Sequence, residues 1–231
     1  MPDDHRTLYR LMSWLSPSFP VGAYSYSHGI EHAVEAGLVA DVNALIEWVE
    51  GLLVFGSAQM DATLLCEGHR AAAAGDWQQV MLVAERGDVL RGSTELALEN
   101  GAQGEAFLTA VRRAWPEPSL DRWAEMLEQA ERRAPYAVAV GVVAAVARLP
   151  LGPSVAAFLH AFVANLVSAA VRLVPLGQTD GQRAIAALER PVVAAADQAR
   201  AHRLDTMGSA SLMVDWTSMR HETQEVRLFR S

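Results

Sequence analysis

The chain has 231 residues, 51% of them apolar, and its 19 basic and 27 acidic side chains give a formal net charge of −8. This composition predicts one large globular domain, and its acidity argues against nucleic acid as a partner. All of the basic residues are arginine, so a phosphate-binding loop of the Walker type, which needs a lysine, is excluded.

The N-terminal part of the chain predicts two short helices with a break between them. Apolar residues from Leu8 to Leu15 recur with helical spacing, and residues 16–22 then bring two prolines and a glycine. A second helix is predicted over about Tyr26–Ala36, closed by Gly37 in the left-handed conformation. The acidic N-terminus is not followed by the apolar core of an export signal, so we expect a protein that is not exported.

Helical patterns continue through the middle of the chain. Asp41 or Asn43 is predicted to cap a third helix, and Ser93 or Thr94 a later one. Prolines at 135, 153 and 191 stand where the first turn of a helix tolerates them. Cys66 lies within a helical, apolar stretch and is expected in the core; a single cysteine favours a reducing compartment, so we expect a cytoplasmic address.

Residues 155–174 form the one run with the length and apolarity of a membrane span. Polar groups at His160, Asn165, Ser168 and Arg172 would make insertion costly. We therefore expect a central helix buried among others, and no membrane partner.

These patterns predict an all-α fold: a single-domain helical bundle of roughly ten helices with a buried hydrophobic central helix and an extended C-terminal arm. No run of strand alternation occurs, so βαβ units and their nucleotide sites are not expected. We expect residues 1–203 to form the helical core and residues 204–231 a partner-binding arm. Apolar Trp216, Met219, Leu228 and Phe229 stand there among arginines, as in a segment that orders against another surface.

One string suggests an enzyme. His28-Gly29-Ile30-Glu31-His32 matches the inverted zincin pattern, in which two histidines one turn apart on a helix bind zinc and the glutamate acts as base. The string is short and no later segment clearly provides a third ligand, although Glu95 and Glu99, or Glu67 and His69, could be considered. A zinc-dependent hydrolase is therefore kept as the alternative function.

Three blocks are more specific than packing requires. The first is Leu15 to Ser27, which reads LSPSFPVGAYSYS and leads into Gly29-Ile30-Glu31. The second is Ser168 to Gln178, SAAVRLVPLGQ, and the third combines SMRHETQ from Ser218 with RLFRS from Arg227. In this order they resemble the urease accessory protein UreF family across the whole chain. His28 stands where the family pattern has glutamine, and Glu225-Val226 replace its usual Tyr-Ser.

The resemblance implies a non-catalytic helical protein that acts in maturing urease, the nickel enzyme that hydrolyses urea. Family members dimerise and bridge a scaffold protein, UreD or UreH, and the GTPase UreG on apo-urease, coupling GTP hydrolysis to nickel delivery. No cofactor, resident metal or catalytic residue is implied.

The residues expected to bind partners follow from the matching motifs. They are Arg220, His221, Glu222, Gln224, Arg227, Leu228, Phe229, Arg230, Pro20, Gly22, Tyr24, Ser25, Tyr26 and Glu31. We expect Phe229 and Leu228 to be anchors buried in the scaffold protein, with the arginines forming charge-assisted bonds around them. The N-terminal block would face the GTPase or the dimer mate.

Overall fold

The computed structural model describes residues 4–231, and these form twelve α-helices, which confirms the predicted all-α bundle. The helices are α1 Asp4–Trp14, α2 Ile30–Glu35, α3 Val42–Phe55, α4 Ser57–Ala73, α5 Trp77–Val89, α6 Thr94–Ala114, α7 Pro118–Gln129, α8 Tyr136–Val146, α9 Leu151–Leu173, α10 Gln178–Ala187, α11 Glu189–Ala201 and α12 Leu212–His221. A single 3-10 turn, Ala23–Ser25, lies between α1 and α2.

Helices α4 and α8 pack most intimately, at the centre of the core. Gly141 of α8 lies so close to α4 that a Cβ there would overlap the carbonyl oxygen of Leu65, and Gly68 of α4 in turn faces Val138. Small residues thus let two backbones approach, as expected from a core built mainly of alanine, valine and leucine. Cys66 is fully buried in this contact layer, and burial raises the pKa of its thiol to about 11.

Helix α9 is the predicted central helix, and it contacts α2, α4, α8, α10 and α11. It is the one unbent helix among the described residues that is long and apolar enough to cross a membrane, but half of its most apolar window is buried inside the fold. Its hydrophobic surface is therefore used to pack other helices.

Local signals set several helix ends as predicted. The Asp41 carboxylate accepts hydrogen bonds from the N–H groups of Asn43 and Ala44, and the Ser93 hydroxyl accepts from Leu96 N–H. Gly37 has a φ of 73°, the left-handed conformation expected after α2. These caps satisfy helix-end donors and carbonyls that would otherwise lack partners.

The predicted start of the second helix is wrong. Helix α2 begins at Ile30 and not near Tyr26, because His28 and Gly29 have φ values of 56° and 81°. A left-handed pair breaks the helix before Ile30. Gly29 also lies under α12: a Cβ at this position would be 3.0 Å from the Thr217 hydroxyl and 3.1 Å from Ser218 N.

Helix α12 packs against α2 and α6, and the residues after it fold back over the same two helices. The C-terminal segment is thus ordered by the chain's own N-terminal half.

Candidate partner-docking site

Three glutamates form a seat for the last residues of the chain. Glu31 comes from the first turn of α2, and Glu95 and Glu99 lie one turn apart on α6. We call these three residues the tail seat and residues 222–231 the tail. The tail seat is largely buried, with side-chain exposures of 8% for Glu31 and 12% for both Glu95 and Glu99.

Glu31 is the centre of the seat. One of its oxygens, Oε1, accepts a hydrogen bond from Leu228 N at 2.6 Å, and Oε2 accepts from Phe229 N at 2.9 Å. Oε2 also lies 3.0 Å from Nε2 of His221. One buried carboxylate therefore fixes both the end of α12 and the course of the tail, and such bonds to a charged acceptor are stronger than neutral ones.

His221 connects the two helices that carry the seat. Its side chain is 0% exposed, and its Nδ1 lies 2.6 Å from Oε2 of Glu95 while its Nε2 faces Glu31. Because a carboxylate only accepts, both contacts are hydrogen bonds when the ring donates from both nitrogens. Arg227 adds a further contact of 2.8 Å to the other oxygen of Glu95.

Glu99 holds the end of the tail. Its Oε2 accepts from the Ser231 hydroxyl at 2.6 Å and lies 3.6 Å from Nδ1 of His28. Burial by itself would raise the pKa of Glu99, but the neighbouring His28 ring and the hydrogen bond from Ser231 hold that pKa below its usual value. The carboxylate is thus stabilised in its ionised form.

The N-terminal block forms the other side of the docked tail. Ser27 N donates to the carbonyl of Ser231 at 2.8 Å, and Arg230 N donates to the carbonyl of Ser25 at 2.8 Å. Arg172, from the second sequence block, donates to the carbonyl of Tyr24 at 2.9 Å and places its guanidinium 4.3 Å from the centre of the Phe229 ring. The three blocks found in the sequence therefore meet at one place.

The predicted site residues divide into a buried and an exposed group. His221, Phe229, Tyr26 and Glu31 are buried inside this chain. Phe229 is only 4% exposed and packs against Arg172 of its own fold, whereas its neighbour Leu228 is 62% exposed. The remaining members are exposed or half-buried: Arg220, Glu222, Gln224, Arg227, Arg230, Pro20, Gly22, Tyr24 and Ser25.

An exposed apolar surface lies beside the tail. Leu212, Met213, Trp216 and Met219, here called the α12 row, follow one side of α12 and are 45–79% exposed. Leu228 and Val226 of the tail are exposed as well. Trp216 and Met219 were expected from the sequence to order against another surface, whereas Leu212 and Met213 were not, because the helix register of α12 was not predicted.

The part that Glu95 and Glu99 play in holding the tail was not predicted from the sequence. These two residues were expected only as possible zinc ligands, although their spacing of four residues already indicated a shared helix face. Glu222 adds a contact of the same kind, since its carboxylate accepts from Thr94 N at 2.8 Å at the start of α6.

The zinc alternative fails on geometry. His28 precedes α2, so His28 and His32 do not stand one turn apart on a helix. The Nε2 of His28 is bonded to the Ser57 hydroxyl at 2.7 Å, His32 packs against Trp216, and Glu31 is saturated by tail donors. Within residues 4–231, no group of three or more His, Cys, Asp or Glu side chains is arranged to hold a metal ion.

Comparisons with known proteins agree with the resemblance found in the sequence. The model of the UreF family matches residues 39–189. A protein of Rhodopseudomonas palustris named urease accessory protein UreF is 50% identical over 225 residues, covering 97% of this chain and 91% of the relative. A protein of Bradyrhizobium diazoefficiens with the same name is 49% identical over 224 residues, covering 97% of this chain and 91% of its own length.

Proposed function

Because the chain belongs to the UreF family of urease accessory proteins, we propose that it bridges a scaffold protein, UreD or UreH, and the GTPase UreG on apo-urease. In this role it couples GTP hydrolysis to nickel delivery and performs no catalysis itself. It acts in the cytoplasm, and it forms a homodimer within the complex.

The observation that carries this proposal is the surface formed by the docked tail and the α12 row. Four exposed apolar side chains follow one helix face, and Leu228 of the tail is exposed as well. Arg220, which follows Met219 on α12, and Arg230 of the tail are also exposed. Trp, Met and Arg are enriched in protein interfaces, and a central apolar patch with a polar rim is typical of them.

The buried residues of the site support this surface from inside the chain. His221, Phe229 and Glu31 fix the backbone of the tail, so Leu228 and the arginines are presented in a defined geometry. We assign the scaffold protein to this surface. A preordered tail loses less conformational entropy on binding than a free one, which favours affinity.

A second face is available for the GTPase or the dimer mate. Tyr24 is 71% exposed, and the backbone carbonyl of the same residue accepts the hydrogen bond from Arg172. Pro20 is exposed on the same block. The N-terminal block is bonded to the tail, so partners on the two faces would be mechanically linked.

The charged cluster supports a role without catalysis. Both oxygens of Glu31 and both ring nitrogens of His221 are engaged by groups of the same chain. A general acid or base needs a free path to its substrate, and these groups have none in the docked state.

The test uses charge placed on the exposed surface. Met219→Glu combined with Leu228→Glu should abolish co-purification with the scaffold protein, because two carboxylates would be buried against its apolar groups. Val193→Glu is the matched control, since Val193 is 53% exposed on α11, away from the tail. Full recovery of the scaffold with the double variant would contradict the assignment of this surface.

The functional readout is reconstitution of apo-urease with scaffold, GTPase, GTP and nickel. Omitting this protein should strongly reduce nickel incorporation, and adding the double variant should not restore it. Normal nickel incorporation in the absence of the protein would overturn the proposed function as a whole.

A further inference from the structure

A cleft of about 530 Å³ lies where α1, the ends of α6 and α8, and the start of α7 meet. Arg6, Arg10 and Arg148 line it, together with Trp14 and Trp115. None of its lining residues belongs to the tail seat, the tail or the α12 row, so the cleft is separate from the surface assigned above.

The three arginines of the cleft have no charge partner within residues 4–231. Nine of the 19 arginines form ion pairs with acidic side chains, and these three do not. Glu117 is the one acidic residue lining the cleft, and it makes no such pair with them. In a chain of net charge −8, the cleft is thus a local concentration of positive charge.

Arg10 is the most constrained of the three. Its guanidinium lies 5.4 Å from the centre of the Trp14 ring and is only half-exposed. Burial, and then the positive charge of Arg6, lower the pKa of Arg10. A partly buried cation with a second, exposed cation beside it favours the binding of an anion.

Trp14 provides a reporter for the cleft. It is 2% exposed, and its indole N–H has no acceptor among the described residues. Trp115 packs edge-on against it at 5.6 Å. The indole of Trp14 therefore lies beside the arginines of the cleft, where its N–H signal can report binding next to them.

We propose that this cleft binds an oxyanion group, phosphate or carboxylate, carried by a small molecule. Guanidinium groups supply only donors, and arginine matches both oxyanions with paired hydrogen bonds. The volume lies within the range of small-molecule sites, roughly 300–1,000 Å³, and leaves room for an organic body beside Trp115. This site goes beyond the proposed bridging role and does not depend on it.

The experiment titrates the full chain with inorganic phosphate and, separately, with acetate, while sodium chloride keeps the ionic strength constant. The indole N–H signal of Trp14, assigned with Trp14→Phe, is followed by NMR, and calorimetry gives the affinity. We expect a saturable shift of this signal with at least one anion. Response to phosphate alone or to acetate alone identifies the group that the site prefers.

Variants test the arginines. Arg10→Gln and Arg148→Gln should each weaken binding about tenfold, because each removes charge-assisted bonds. Arg183→Gln, which changes an exposed arginine paired with Asp180, should leave the affinity unchanged. Arg148 is exposed, so its variant stays informative if loss of Arg10 disturbs the packing on Trp14. A shift that never saturates, or equal affinity in all variants, would overturn the proposal.

Discussion

The contact between α4 and α8 and the contact between the tail and its seat are built by different forces. At the first, Leu65, Val138 and Gly141 bring two backbones together through small apolar groups. At the second, Glu31 and Glu95 hold His221 and the tail through charge-assisted hydrogen bonds. The first depends on shape and volume, and the second on a few directional bonds.

Because of this difference, the stability of the whole fold and the shape of the partner-binding surface depend on different contacts. Apolar packing at the centre contributes to the global free energy of unfolding, whereas we expect the tail, at the end of the chain, to open without the rest of the fold. The residues that determine whether the chain folds are therefore different from those that shape its partner-binding surface. Substitutions in the two regions should be distinguishable by experiment.

The largest effect is expected from Gly141→Ala in the core. A Cβ there would overlap the carbonyl oxygen of Leu65 and lie 3.0 Å from its carbonyl carbon, and a backbone group cannot rotate away. We expect a loss of about 3 kcal/mol in the free energy of unfolding, the upper end for overpacking. Urea denaturation followed by circular dichroism measures it.

Gly51→Ala is the matched control in α3. No atom lies within 4 Å of a Cβ at that position, so the variant should be as stable as the wild type or up to about 1 kcal/mol more stable. Equal stability of the Gly141 and Gly51 variants would show that α4 and α8 do not approach as closely as described.

The second effect is expected at the tail seat. Glu31→Gln removes the charge that binds His221 and the N–H groups of Leu228 and Phe229. The NH₂ group of the new amide would also face one or more of these donors, where a carboxylate oxygen had accepted their hydrogen bonds. The docked state should lose about 2 kcal/mol, as for buried polar groups left unsatisfied. Hydrogen exchange should accelerate in residues 221–231 while the protection of α4 and α8 is retained.

Glu35→Gln serves as its control, because Glu35 lies on the same helix with its side chain 60% exposed. It should leave exchange in the tail unchanged. If Glu31→Gln unfolded the core and the tail together, the separation between the two regions would be wrong.

The sequence predicted the core better than the seat, and the reason is distance along the chain. Caps such as Asp41 and Ser93 act within three residues, so local sequence identifies them. The contacts of His221 join residues 126 and 190 positions apart, and no periodicity reports such pairs. The left-handed conformation of His28 was likewise not predicted. The neighbouring Gly29 lies against Thr217 and Ser218 of α12, a contact that is distant in sequence and that local propensity does not reveal.

The family resemblance supplied part of what periodicity could not. It singled out Glu31, His221 and Phe229 as important before any contact was known, but it gave them a partner-facing role. The structure places them inside the chain, where they shape the surface that Leu228 and the α12 row present. Patterns shared within a family identify residues under constraint and do not separate buried supports from exposed contacts.

A third, smaller effect concerns pH and the seat. The pKa of Glu99 is lower in the folded state than its ordinary value of 4.5, so its contribution to docking is present above that value. The contribution is lost as the pH falls through the lowered pKa of the folded state. The protection of the tail amides, after correction for the slower intrinsic exchange at low pH, should therefore fall on acidification.

Glu99→Gln isolates this contribution from those of Glu31 and Glu95. The variant should exchange faster than the wild type at neutral pH, and the difference between the two should shrink as the pH falls. A difference that stays constant with pH would mean that the ionised state of Glu99 does not stabilise the docked tail.

The smallest effect is expected from Arg172→Gln. The guanidinium of Arg172 lies 4.3 Å from the centre of the Phe229 ring and also donates to the carbonyl of Tyr24. Contacts of this kind at partly exposed sites contribute about 1 kcal/mol, so docking should weaken about fivefold. Exchange at Phe229 N–H should rise accordingly, while Arg190→Gln, on the exposed side of α11, should change nothing. An unchanged exchange rate in the Arg172 variant would show that the bonds of the seat hold Phe229 without help from the ring contact, and the docking of the tail would then depend on its glutamates alone.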